Sequence, residues 1–171
     1  MIEIQQPEVW LRGPIENIPP YLQPAAHALK QTQEDLDYWL TDFEDVYLWE
    51  KPAGRASVGF HLQHITGVLD RMITYSKAQT LSKQQFDYLK QEGIKNYDTT
   101  TAQLIATFHI KLDEAFLYFS TLKDVDLLQK RGVGRKELPS TLLGLLFHAA
   151  EHSQRHLGQL LVTTSILKTS K

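Results

Sequence analysis

The chain contains no cysteine among its 171 residues. This absence excludes disulfide bonds, thiolate zinc sites and a cysteine nucleophile. Neither sign of charge dominates, since 18 basic and 20 acidic side chains give a formal net charge of -2. A non-specific DNA-binding protein needs a concentrated positive surface, so we expect no nucleic-acid partner. No apolar run approaches the ~20 residues of a membrane span and no signal segment follows Met1, so we expect a cytoplasmic protein with no membrane partner.

Proline is scarce beyond the first 24 residues, which hold five of the seven prolines. Because proline interrupts a helix interior, helices are expected in the long proline-free stretches that follow. Residues 1–21 are predicted to form an extended N-terminal arm packed on the body, with Trp10, Ile15 and Tyr21 as its anchors. Residues 22–171 are predicted to form a single helical domain.

Apolar residues recur at three- and four-residue steps in four long segments, the first from about 22 to 44, as in amphipathic helices. Candidate N-caps precede the later helices and a short extra one: Ser57, Ser82 with Gln85 in a capping box, Asp98 or Thr99, and Ser140. The segment 123–138 is predicted to be a connection that contains a small hairpin. Four long helices with reversing connections predict an all-α fold, a four-helix bundle with an extended N-terminal arm and a short extra helix.

Three of the seven histidines, His148, His152 and His156, lie within nine residues. Positions four apart on a helix differ by ~40° in direction, so these side chains form one narrow strip. His148 and His156 are ~12 Å apart along the axis. One metal ion, bound at ~2.0–2.1 Å, can therefore take either His148 with His152 or His152 with His156. A third ligand must come from another helix, and the candidates are His61 and His64, with His27 and His109 less favoured.

The residues from His148 to His152 also match the H-x-x-E-H pattern of inverzincin peptidases. Those enzymes take a further acidic ligand from well downstream, and no aspartate or glutamate follows Glu151 in this chain. The pattern E-x-x-H, which di-iron carboxylate bundles use twice, is absent. Both interpretations are therefore disfavoured, and a site of three neutral imidazoles with an open position remains as the metal-site hypothesis.

Three motifs resemble the DinB-like (DinB/YfiT) superfamily of metalloenzymes. They are the arm sequence Trp10-Leu-Arg-Gly-Pro, the pair Ala56-Ser57 seven residues ahead of His64, and Glu151-His-Ser-Gln-Arg-His-Leu-Gly-Gln159. The last motif is the most specific, because the final helix of that family typically reads H-x-x-E-H-x-x-x-H-x-G-Q. The resemblance covers most of the chain.

The resemblance implies a divalent metal held by one histidine of the second helix and two of the last. By position these are His64, His152 and His156, which selects the pair that helix geometry alone leaves open. His148 then lies one turn along, at the rim or behind a ligand, and His61 is a neighbouring polar residue. Three other side chains are candidates to steady a bound water or to bind an anion: Arg155, Gln159 and Arg71.

Three imidazole ligands suit zinc or nickel better than magnesium or calcium, with manganese and iron less favoured than zinc. The resemblance implies a bacterial, homodimeric enzyme that acts on a small-molecule substrate. One expected activity is S-transfer with a low-molecular-weight thiol, which must come from outside a chain that lacks cysteine. Metal-assisted hydrolysis is the other. The alternatives are a non-catalytic stress-response protein that binds metal or a small ligand, and a bundle that holds no metal.

Overall fold

The computed structural model describes residues 6–169 of the chain. Within that range there are five α-helices and one β-hairpin: α1 (Gln23–Trp39), α2 (Val58–Ser76), α3 (Lys83–Gln91), α4 (Thr101–Ser120), β1 (Lys130–Val133), β2 (Leu138–Thr141) and α5 (Leu142–Thr169). Helix α5 packs against α1 and α2, and α4 packs against the same two helices. The predicted helical class is confirmed, with a small antiparallel sheet added to it. The four-helix-bundle topology stays a prediction.

Two of the predicted helix starts are confirmed at the residues named. Ser57 precedes α2, and its side chain accepts a hydrogen bond from the backbone N–H of Phe60. Ser82 and Gln85 form a reciprocal capping box at the start of α3. These hydroxyl groups satisfy backbone donors that have no partner within the first turn of a helix.

Two other helix starts lie one residue beyond the predicted caps. Thr100, not Asp98 or Thr99, forms the capping box of α4 together with Gln103. Ser140 belongs to β2, and Thr141 instead accepts a hydrogen bond from the backbone N–H of Gly144 at the start of α5. The predicted hairpin is confirmed and extends to residue 141, which moves the start of α5 along the chain.

The first helix ends earlier than its apolar stripe predicts. Helix α1 stops at Trp39, where the stripe predicts residue 44. Phe43 still reaches the core at 8% exposure, because a turn closed by its N–H on the carbonyl of Leu40 directs it inward. The apolar stripe in the sequence therefore runs on to Phe43, a core residue, although the helix ends before it.

Two of the three predicted anchors of the arm, Trp10 and Tyr21, are wrong. Trp10 and Tyr21 are 61% and 69% exposed, whereas Val9 and Ile18 are buried, as is Leu22 directly after the arm. Short 3-10 turns at Val9–Leu11 and Pro20–Leu22 set which side chains face the body. Ile15, the third predicted anchor, is half-buried. Residues 1–5 of the predicted arm lie outside the described residues. Among residues 6–169, no helix is both long enough and apolar enough to cross a membrane.

Candidate metal centre

Three histidines from two packed helices meet in one cluster. His64 on α2 and His152 and His156 on α5 each offer one ligand nitrogen, and the three nitrogens lie within 4.8 Å of one another. The Nε2 atoms of His64 and His152 are 3.0 Å apart. Nitrogens bound at ~2.0–2.1 Å to a tetrahedral metal lie about 3.3 Å apart, so this spacing is close to that of a ligand set. We call these three residues the histidine cluster.

The cluster lies at the edge of the core because each of its helices buries the residue after each histidine. On α5 these following residues are Ala149, Ser153 and Leu157, and on α2 they are Leu62 and Ile65. Burying those neighbours orients the two helices and brings the histidine strip of α5 against α2. The imidazoles are therefore held between a packed interior and the molecular surface.

His64 has a buried carboxylate partner that the sequence analysis did not identify. Its Nδ1 lies 2.6 Å from Oε2 of Glu92, whose side chain is only 4% exposed. Oε1 of the same carboxylate accepts a hydrogen bond of 2.6 Å from Nη1 of Arg71. Arg71, a candidate for anion binding, is thus itself buried and paired with an acidic group of this chain.

The sequence does carry one signal for Glu92. The residue is the C-cap of α3 and directly precedes Gly93, which has a φ of 79°. A carboxylate at a helix C-terminus faces the negative end of the helix dipole, where a basic residue is favoured. An acidic residue in that place points to a tertiary partner.

Gly67 provides the space in which that carboxylate lies. A Cβ at this position would lie 2.7 Å from Nη1 of Arg71 and would overlap Oε1 of Glu92. Gly67 is buried in the middle of α2, where glycine costs about 1 kcal/mol relative to alanine. An added side chain would therefore have to displace the Arg71–Glu92 pair.

His61 is buried and lies behind the cluster. Its Nδ1 is 2.9 Å from Nδ1 of His156, so His61 contacts one member of the cluster directly. Phe60 stacks on His64 with ring centroids 5.0 Å apart and an interplanar angle of 14°. Phe60 was not identified from the sequence, because its position alone does not distinguish a core residue from a cover.

Burial favours the neutral form of two imidazoles of the cluster, those of His152 and His156. Burial first, and then the neighbouring histidines, lower the pKa of His152 to about 4 from 6.5. Burial lowers the pKa of His156 to about 4, with His64 as the next cause, and the same two kinds of cause act on His61. A neutral imidazole keeps the lone pair that a metal requires.

One nitrogen of the cluster has no partner in the described part of the chain. Nδ1 of His152 is buried and makes no hydrogen bond there. A buried polar atom without a partner is uncommon and calls for an explanation such as a bound water or ion. The two nitrogens of one imidazole point away from each other, so this atom is not the one that faces His64. The spacing of the Nε2 atoms and the lowered pKa values of His152 and His156 are what indicate that these residues fit a divalent cation.

The remaining candidates from the strip lie at the rim. Nδ1 of His148 is 2.8 Å from Oε1 of Glu151, and Nη2 of Arg155 donates to both oxygens of that carboxylate. His148 and Glu151 form a second potential metal-ligand group with His152. Gln159 is exposed one turn beyond the strip. The less favoured partners are elsewhere, since His27 contacts the carbonyl of Gly13 and His109 pairs with Asp37.

The chain matches a known protein family over most of its length. A search of curated proteins finds no match to this chain. The family model described as the DinB superfamily matches residues 28–160, which span α1 to α5 and include all three residues of the histidine cluster. The helical architecture agrees with that match, and the cluster provides histidines that could hold a metal. The chain belongs to the DinB superfamily.

Proposed function

We propose that this protein is a metal-dependent enzyme that acts on a small molecule, with one divalent cation held by His64, His152 and His156. The observation that carries the proposal is the convergence of three imidazoles from α2 and α5, with two Nε2 atoms 3.0 Å apart. Zinc or nickel suits such a donor set best. The four-helix bundle of residues 22–171, which would form the scaffold, is part of the same proposal.

A divalent metal bound there supplies a Lewis acid that lowers the pKa of a coordinated thiol or water. The residues of this chain prepare the site for it. His61 orients the ring of His156 through their Nδ1 contact of 2.9 Å. Phe60 covers one face of the His64 ring and excludes water from that face. Because the chain has no cysteine, a thiol substrate or co-substrate must be brought from solution.

Metal content tests the proposal directly. Protein purified without an affinity tag, or reconstituted with zinc or nickel by dialysis, should contain close to one metal ion per chain by elemental analysis. His152→Ala should lose it, whereas His148→Ala on the same helix should keep it, because His148 lies outside the histidine cluster. A parent chain that takes up neither metal would overturn the proposal.

The reaction class needs a separate experiment. Thiol-dependent S-transfer and metal-assisted hydrolysis use the same three ligands, so the donor set does not distinguish them. Cobalt-substituted protein titrated with low-molecular-weight thiols should develop a thiolate-to-metal absorption band if S-transfer is the activity, and His152→Ala should not. A parent protein that develops no such band with any of these thiols would contradict S-transfer and favour hydrolysis. The expected homodimer is tested by light scattering.

A further inference from the structure

Glu92 lies where a carboxylate is energetically unfavourable. Its side chain is 4% exposed, and an ionised carboxylate withdrawn from water is destabilising unless charged or hydrogen-bonding partners replace the solvent. It also caps the C-terminus of α3, which is the unfavourable end of the helix dipole for an acidic group. Two partners at 2.6 Å, His64 and Arg71, compensate for these costs.

The two oxygens of this carboxylate have separate partners. Oε1 accepts from Nη1 of Arg71, and Oε2 faces Nδ1 of His64. An ionised carboxylate can only accept hydrogen bonds, so the nitrogen that faces it must carry a proton. A histidine that binds a metal is neutral, so this proton on Nδ1 leaves the lone pair of His64 on Nε2, the atom that faces His152 inside the histidine cluster.

We propose that Glu92 is a positioning residue of the metal centre, which fixes His64 with its proton on Nδ1 and its Nε2 lone pair directed into the cluster. Arg71 holds the carboxylate, and the missing side chain of Gly67 leaves the space for it. This role rests on the proposed function. It distinguishes His64 from His156, whose Nδ1 meets the imidazole of His61 and not a carboxylate among the described residues.

The tautomer can be measured without any metal. In the metal-free protein, nitrogen-15 NMR of labelled histidine should show His64 protonated on Nδ1, with His64→Asn used to assign its signals. In Glu92→Gln, the buried guanidinium of Arg71 should take the amide oxygen and leave the amide NH₂ group facing Nδ1. The proton of His64 should then move to Nε2, which is a change that a merely structural role would not produce.

Metal affinity gives the second readout. Outer partners of this kind typically change metal affinity by roughly 10- to 100-fold, so Glu92→Gln should weaken zinc binding by that factor in a chelator competition titration. Gly67→Ala should weaken it in the same direction, because the added Cβ displaces the carboxylate without removing a polar group. Glu151→Gln is the matched control, since Glu151 contacts His148 and Arg155 beside the same strip. Circular dichroism of the metal-free variants verifies that each one folds.

The outcomes separate this role from the proposed function. If the parent chain binds no metal, both the proposed function and the role of Glu92 are overturned. If the parent binds metal and Glu92→Gln binds it as tightly, only the role is overturned. The same follows if Glu92→Gln leaves the proton of His64 on Nδ1, or if Glu151→Gln weakens binding as much as Glu92→Gln does. Weaker binding in both Glu92→Gln and Gly67→Ala together with the tautomer change supports the role.

Discussion

The described part of the protein contains two histidine–glutamate–arginine triads that share one arrangement and differ in exposure. The inner triad is His64, Glu92 and Arg71, and the outer triad is His148, Glu151 and Arg155. In each, one carboxylate contacts both an imidazole Nδ1 and a guanidinium. The carboxylate side chain is 4% exposed in the inner triad and 31% exposed in the outer one.

Their origin in the chain differs as well. The outer triad lies within a single helix at spacings of three and four residues, so it forms wherever α5 forms. The inner triad joins two residues of α2 to the C-cap of α3 and requires the tertiary structure. Removing a charged partner should therefore cost more stability in the inner triad than in the outer one. Water screens the charges of the outer triad, but it cannot replace a lost partner in the inner triad.

The largest effect should follow from removing the inner arginine. Arg71→Ala leaves a buried carboxylate whose one remaining partner within residues 6–169 is His64. Breaking a buried ion pair costs about 3–5 kcal/mol of unfolding free energy. We expect a loss near the lower end of that range, since one contact of Glu92 survives. Urea denaturation of the metal-free protein measures it. Equal losses in Arg71→Ala and Arg155→Ala would remove the distinction between the triads.

Two glycine substitutions sharpen the comparison because they should have opposite signs. Gly67→Ala inserts a Cβ against Arg71 and Glu92, and overpacking of this kind costs about 1–3 kcal/mol. The gain in helix propensity offsets about 1 kcal/mol of that cost, so we expect a net destabilisation of up to about 2 kcal/mol. Gly158→Ala, on an exposed position of α5 with no atom within 4 Å of the added Cβ, should stabilise the protein by about 1 kcal/mol through helix propensity. Urea denaturation of the two variants in the same buffer tests this pair. Destabilisation of similar size in both would show that Gly67 has no special packing role.

The stability of the metal-free protein should decrease as the solution is acidified. The pKa values of His61, His152 and His156 are lowered to about 4 in the folded chain from 6.5. Between those values the unfolded chain binds more protons than the folded chain, so stability falls as the pH drops from about 6.5 towards 4 and is fully present above 6.5. Melting temperatures in the presence of a chelator measure this slope. His152→Asn should make this slope shallower. An unchanged slope would contradict the lowered pKa of His152 in the folded chain.

The smallest effect should come from the outer triad. Arg155→Ala removes a pair whose arginine side chain is 54% exposed, and exposed helical pairs of this kind contribute about 0.3–0.5 kcal/mol. The guanidinium also lowers the pKa of Glu151 through its hydrogen bonds. Because salt screens exposed pairs, the difference between parent and variant should vanish at high ionic strength in urea denaturation. A loss that persists in high salt would place Arg155 in a buried role that its exposure does not indicate.

Local chemistry explains which parts of the fold could be predicted from the sequence. Ser57 and the Ser82–Gln85 box were predictable, because a cap depends only on residues three or four apart. Thr100 and Thr141 were missed by one residue, because adjacent polar side chains compete for each cap and the tertiary structure chooses between them. Short turns decide which residues of the arm face the body, and its prolines do not determine where those turns form. The sequence therefore could not show that Trp10 is exposed.

The candidate site divides in the same way. Helix periodicity brings His148, His152 and His156 into one strip, and the family resemblance adds His64. Neither of them reaches Glu92, which is 28 residues from His64 in the chain and meets it only when α3 docks on α2. A contact of that kind leaves no periodic signal, and only the unfavourable charge at the end of α3 hints at it.

Helix α3 buries none of its residues, although its C-cap supplies the carboxylate that meets His64. Polar contacts hold it on α2, among them those of Gln85 with Asp70 and Thr74 and that of Gly93 with Gln63. Over evolutionary time, most of its surface is free to change at little cost, while a few polar positions are not. Relatives of this protein are therefore expected to diverge quickly along α3 while retaining an acidic residue at its end, and apolar patterns alone will not align that residue.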